Sequence, residues 1–95
     1  MVKVAVIVPA YNEEKAIAGV VNGINAIAPG TDIHIDVIVI NDCSLDQTAL
    51  ITSKLKCTLL DLPVNLGIGG AVQTGFIFAF ENNYDYAMQV DGDGQ

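Results

Sequence analysis

The sequence predicts an α/β fold, an open parallel sheet of about four strands with crossover helices, and three observations carry that expectation. Short apolar runs rich in β-branched or aromatic residues alternate with segments of helical periodicity along the whole chain. The runs are apolar without alternation, as strands covered on both faces must be. Polar residues cluster just after each run, where a parallel sheet with right-handed crossovers collects its ligands.

The first strand is expected at Val4 to Val8 and the first helix from the spacing of Ile17, Val20, Val21, Ile24 and Ile27. Asn12 is placed to cap that helix, Glu13 and Glu14 fall in its favoured first turn, and Pro29-Gly30 stops it. A polar turn containing a solvated His34 leads to a second strand at Val37 to Ile40. Ser44 and Gln47 have the spacing of a capping box before Ala49, Leu50, Ile51 and Leu55, with Asp46 serving the helix N-terminus. A third strand follows at Cys57 to Leu60 and a third helix from about Ile68 to Glu81. Phe76, Phe78 and Phe80 mimic strand alternation, but the length of the segment favours a helix that is apolar nearly all round. Such a helix leaves phenylalanines for a partner surface. Tyr86 to Val90 supply the fourth strand.

Ninety-five residues, 52% of them hydrophobic, can bury one modest core, so 1–95 reads as a single domain. No apolar run approaches the roughly twenty residues that span a bilayer, and the first strand lacks the cleavage site of a signal peptide. Cys43 and Cys57 fit two reduced thiols rather than a disulfide framework. A soluble cytoplasmic domain is expected. Eleven acids face four lysines and no arginine, a formal charge of -7, which argues against nucleic acid as a partner.

The most informative segment is Asp91-Gly92-Asp93-Gly94-Gln95. On an extended segment Asp91, Asp93 and Gln95 lean to one side, while the glycines admit a ligand to the backbone. Two carboxylates and an amide oxygen suit Mg²⁺ or Mn²⁺ with coordination positions left for phosphate oxygens. Lys3, Lys15, Lys54 and Lys56 are too scattered to neutralise a diphosphate, which gives a divalent cation that task.

Four segments in order, VIVPAYNEE, VIVINDCSLDQT, NLGIGGAVQTGF and DGDGQ, resemble the nucleotide-binding half of a family 2 glycosyltransferase with the GT-A fold. The likeness is strongest to the dolichol- or polyprenyl-phosphate sugar transferases. It implies a Rossmann-like N-terminal half in which Pro9, Ala10, Tyr11 and Glu13 hold the nucleoside and Ile40 and Asp42 line the base pocket. It implies that Asp91, Gly92 and Asp93 form the DxD motif for metal and sugar nucleotide, with Gln95 a metal-side ligand. The implied reaction is inverting transfer from a UDP- or GDP-linked sugar to a lipid-phosphate or glycan acceptor. The chain departs from the family pattern in having Cys43 where glycine is common, in lacking arginine, and in stopping right after the metal motif. From this last point we expect a fragment of a longer transferase, with the catalytic base downstream, membrane association not encoded here, and self-association through an open sheet edge.

Rival readings are weaker. Asp91-Gly92-Asp93-Gly94 also matches the nucleophile motif of haloacid-dehalogenase-type phosphatases, yet that motif normally opens its domain and leaves Pro9-Ala10-Tyr11 and Asp42 unexplained. Gly67-Ile68-Gly69-Gly70 lacks the third glycine of a dinucleotide fingerprint, where Val72 stands instead, and follows the wrong strand. A non-catalytic nucleotide-sugar-binding module is the third alternative.

Overall fold

The computed structural model describes residues 1–93. Its strands are β1 (Val2–Ala10), β2 (Ile33–Asn41), β3 (Thr58–Asp61) and β4 (Tyr86–Gln89), and its helices α1 (Ile17–Asn25), α2 (Thr48–Thr52) and α3 (Gly67–Glu81). The strands form one four-stranded sheet in the order β3-β2-β1-β4. Every pairing is parallel: Val2 to Ala10 lie opposite Ile33 to Asn41, Val4 to Ile7 opposite Tyr86 to Gln89, and Ile38 to Asn41 opposite Thr58 to Asp61. The chain steps outward from β1 to β3, then crosses back through α3 to the other side of β1. Strand order reverses there, which is where such sheets form a ligand crevice.

Alternation along the strands divides the core in two. Val6, Val8, Ala10, Val37 and Val39 pack against Ile17, Val21 and Ile24 of α1, with Ile51 and Leu55 alongside. Ala5, Ile7, Ile38 and Ile40 point the other way, onto Ala71 and Ala79 of α3. The sheet-facing stripe of α3 is made of small residues, Ala71, Gly75 and Ala79. A Cβ at Gly75 would stand 2.4 Å from Ile7 Cγ2 and 2.8 Å from Ile40 Cδ1, so the helix seats this deeply because nothing projects there. Its opposite side leaves Phe76, Ile77 and Phe80 exposed.

Several local expectations are corrected. Strand β2 begins four residues before Val37, so His34 sits in the sheet rather than in a turn. Asn12 does not cap α1: it adopts φ 54° and precedes a turn in which Glu13 carbonyl accepts from Ala16 and Ile17 N–H. The helix then starts at Ile17 with no acid in its first turn. The Ser44/Gln47 capping box does not form either, since α2 has no side-chain cap at Gln47. The cause lies in the tertiary contacts of Asn12 and Ser44.

Candidate active site

A cleft of about 220 Å³ opens at the carboxyl end of the sheet. Pro9, Ala10, Tyr11 and Glu13 line it from the end of β1 and the loop beyond, Asp42 from the end of β2, Asp91, Gly92 and Asp93 from beyond β4, and Ile68 and Ala71 from α3. The fold thus brings together eight of the residues singled out from the sequence. Ile40 is not among them. Its side chain is fully buried in the core against α3. Gln95 lies outside the described residues. Ile68 and Ala71 were missed; the glycines around Ile68 signalled a close approach at this helix start, but not which apolar side chains would face the cleft.

The Asp91–Asp93 segment is not extended as expected. Strand β4 ends at Gln89, and Gly92 and Asp93 form a turn. That turn closes against the longer strand β1: a Cβ at Gly92 would lie 2.7 Å from the Pro9 carbonyl oxygen and 3.3 Å from Ala10 Cβ. Glycine is required by space here. Asp91 and Asp93 flank it, both exposed, and Asp91 accepts from Gln89 Nε2 at 3.2 Å.

Reciprocal hydrogen bonds join the loops after β1 and β2. Asn12 N–H donates to Ser44 Oγ (2.9 Å), and Leu45 N–H returns a bond to Asn12 Oδ1 (2.8 Å). Glu13 N–H donates to Thr48 Oγ1 (2.8 Å), and Gln47 N–H donates to Glu14 Oε2 (3.1 Å). Asp46 accepts from Thr48 N–H and hydroxyl through one oxygen and from Glu14 N–H through the other. Thr48 is fully buried at the centre of this seam. Ser44 also donates to Asn41 Oδ1, and Asn41 Nδ2 reaches Asp61 at 2.8 Å. Residues that resemble local caps in sequence are therefore spent on fixing Tyr11, Glu13 and Asp42 relative to one another.

Asp42 is buried, at 3% exposure. Its Oδ1 accepts from Leu66 N–H at 2.6 Å, Asn65 Nδ2 donates to its carbonyl at 3.1 Å, and its own N–H donates to the Ala10 carbonyl at 2.9 Å. Next to it Cys43 takes φ 59°, the left-handed region that favours glycine, so the residue common in the family has a conformational reason to be there.

The electrostatics are one-sided. Among the described residues, none that lines the cleft is cationic. Burial and then the negative charges of Asp93 and Asp46 push the Glu13 carboxyl above its ordinary range. Burial also pushes Asp46 upward, but the bonds from Thr48 and Glu14 outweigh it and hold that carboxyl low. Exposed Asp91 and Asp93 line the same cleft as Glu13, whose carboxyl Asp93 already penalises, and together they offer hard oxygen donors of the kind a divalent cation takes. Among the described residues, no group of three or more His, Cys, Asp or Glu is placed to hold a metal ion.

Residues 5–95 match glycosyl transferase family 2. The chain belongs to that family. A UDP-N-acetylglucosamine–dolichyl-phosphate N-acetylglucosaminyltransferase of Methanococcus voltae is 33% identical over 106 residues, covering 94% of this chain and 40% of that relative. The dolichyl-phosphate beta-glucosyltransferase ALG5C of Trichomonas vaginalis is 33% identical over 98 residues, covering 93% of this chain and 28% of its own length. The solved structure of S. aureus TarS 1-349 in complex with UDP superposes with a TM-score of 0.79 at 33% identity, covering 96% of this chain and 27% of that one. The chain therefore spans less than half the length of each of these three proteins. Membership displaces the phosphatase reading, and the geometry agrees: Asp91-Gly92-Asp93 follows the last of four strands at the edge of the sheet. Among the described residues, no helix is long and apolar enough to cross a membrane.

Proposed function

We propose that the cleft holds the nucleoside diphosphate of a sugar nucleotide and that the protein transfers its sugar, with inversion, to a lipid phosphate. The observation that carries this reading is the convergence of three carboxyl-end loops on one cleft. There Asp42 is held rigidly beside Tyr11, and Asp91 and Asp93 stand at the mouth. Tyr11, 44% exposed, offers a ring face for a base, and Asp42 offers an acceptor for a ring N–H. Relatives named for dolichyl-phosphate transfer and a UDP-bound neighbour support the same choice of donor and acceptor classes.

A Mg²⁺ or Mn²⁺ ion would be held by Asp91 and Asp93, and the chemistry it supplies is neutralisation of the diphosphate. The chain's own residues bind and orient. Tyr11 and Asp42 fix the nucleoside, while Gly92 lets the diphosphate approach the end of β1. In the transfer, an acceptor phosphate oxygen forms a bond to the anomeric carbon as the bond from that carbon to the diphosphate oxygen breaks, its electron pair leaving with the diphosphate. An ionised phosphate acceptor needs no base to deprotonate it. A cytoplasmic setting, where sugar nucleotides and free thiols such as Cys43 and Cys57 coexist, completes the proposal.

Calorimetric titration of UDP with and without Mn²⁺ tests it, repeated on Asp93→Ala. Metal-dependent binding that the substitution weakens by about tenfold or more is the expected outcome. Binding that is equal with and without metal, and equal in the variant, would remove the metal from the proposal.

A further inference from the structure

A second cavity, a groove of about 460 Å³, adjoins the cleft and has the opposite chemistry. Its lining runs along α1 and its flanks, from Ala16 through Val20 and Ile24 to Ile27, and is closed by Val90 just past β4. No polar side chain contributes to it. Val20, Ile24 and Val90 belong to the core on the α1 face of the sheet, so the groove opens on that face. Tyr86 and Met88, opposite Val4 and Val6, turn the same way and extend the apolar surface along β4, at 67% and 53% exposure. The groove starts where the cleft ends: Val90 precedes Asp91, and Ala16 N–H donates to the Glu13 carbonyl at 3.1 Å. From there to Ile27 is about 15 Å at the rise of a helix.

We infer that this groove seats the hydrocarbon chain of the lipid phosphate acceptor, its head beside Asp91 and Asp93 and its tail running toward Ile27; the inference rests on the nucleotide-sugar reading of the cleft. An acidic cleft that can take a cation and a phosphate, continuous with a groove that offers no hydrogen bond, matches a molecule with an ionised head and an apolar tail. A glycan acceptor would bring hydroxyl groups that the groove cannot pair. The volume also lies within the roughly 300–1,000 Å³ of small-ligand pockets, which favours a single chain over a docked protein. Only the first part of a long hydrocarbon fits, so affinity should grow with chain length while the groove fills. Gly19 and Gly23 supply the means to block it. Neither has positive φ, and a Cβ at either would meet nothing within 4 Å, whereas Gly75 is required by packing. Larger side chains there are better helix formers than glycine and enter open space.

The test is titration of dimethylallyl, geranyl and farnesyl phosphate, in order of increasing chain length, with UDP and Mn²⁺ present and each ligand kept below its aggregation threshold. Affinity is expected to rise by about tenfold or more from the first to the last as methylenes are buried. The double variant Gly19→Leu, Gly23→Leu is expected to keep its melting temperature and UDP affinity but to lose that gain. Ile27→Asp, at the exposed far end, should weaken farnesyl phosphate and leave dimethylallyl phosphate as it was; it decides the matter should the double variant not fold. Equal affinity for all three ligands overturns the inference, as does a folded double variant that binds farnesyl phosphate like wild type. UDP binding with no prenyl phosphate bound would sink the groove and leave the cleft standing; no UDP binding would sink both.

Discussion

In the amino half of the sheet, Asp36 is met by His34 Nε2 at 2.8 Å and by the Tyr84 hydroxyl at 2.6 Å, and the Lys3 ammonium lies 4.7 Å from the Tyr84 ring centre. At the carboxyl end, Glu13, Asp42, Asp91 and Asp93 gather around a cleft whose described lining offers no cation. Acids in the first region are answered by side chains of the protein itself, and the product is structural: Tyr84 ties the connection before β4 to β2 across β1. In the second region Asp42 accepts from the Leu66 backbone N–H and Asp91 from the Gln89 side-chain amide, neutral donors that orient a carboxylate without cancelling its charge. The cleft retains its negative field, as the proposed binding of a divalent cation and a diphosphate there requires, and charge balance sits at the opposite end.

Helix α3 touches both regions, with Leu66 before its first turn and Tyr84 just past its last, so the largest effect is expected where it is seated. Gly75→Ala forces a Cβ to within 2.4 Å of Ile7 Cγ2 unless the helix lifts. We expect about 1–3 kcal/mol of lost stability in urea unfolding, together with weakened UDP binding, and unchanged stability would mean the small-residue stripe does not set the helix position. Next comes Thr48→Val, which removes the acceptor of Glu13 N–H and a donor to Asp46. A loss of about 1–2 kcal/mol is expected, with faster hydrogen exchange at the Glu13 amide, and Thr48→Ser should restore most of it.

Tyr84→Phe probes the other end and should cost about 0.5–1.5 kcal/mol while leaving UDP affinity as it was. Burial, and then Asp36, push the Tyr84 hydroxyl from its ordinary 10.0 up to about 12. A raised value means that the fold favours the neutral phenol. That contribution is complete below pH 10 and lost as pH rises toward about 12, so the variant should flatten the alkaline fall in stability. The smallest effect is expected from His34→Ala. Its side chain is 52% exposed, and its contact with Asp36 should be worth under about 1 kcal/mol and fade with added salt. A drop in nucleotide affinity in either of these two variants would break the division between the ends.

How much of this was legible in the sequence follows from the range of the interactions. Strands and helices were read in the right order because burial on both sheet faces imposes long-wavelength patterns on Val4 to Val8 or Ile17 to Ile27. The cleft was legible as well, since position beyond a strand is a topological property: Tyr11, Glu13, Asp42, Asp91 and Asp93 all meet there. Local rules failed where polar side chains found distant partners. Asn12 and Ser44 have the right identity to cap helices, but their groups bind each other's loop more than thirty residues away. Ile40 lies in the core under α3 rather than in the lining of the cleft, a depth along the strand that its spacing from Asp42 does not reveal.

The short bond from Leu66 N–H to Asp42 also turns the protein into its own indicator. An amide proton held at 2.6 Å by a carboxylate is expected downfield of the ordinary amide envelope in a proton spectrum. Any ligand that draws on the other oxygen withdraws charge from that bond and shifts the signal. A single resonance at the head of α3 would then follow occupancy of the cleft directly, ligand by ligand, with no label on the ligand.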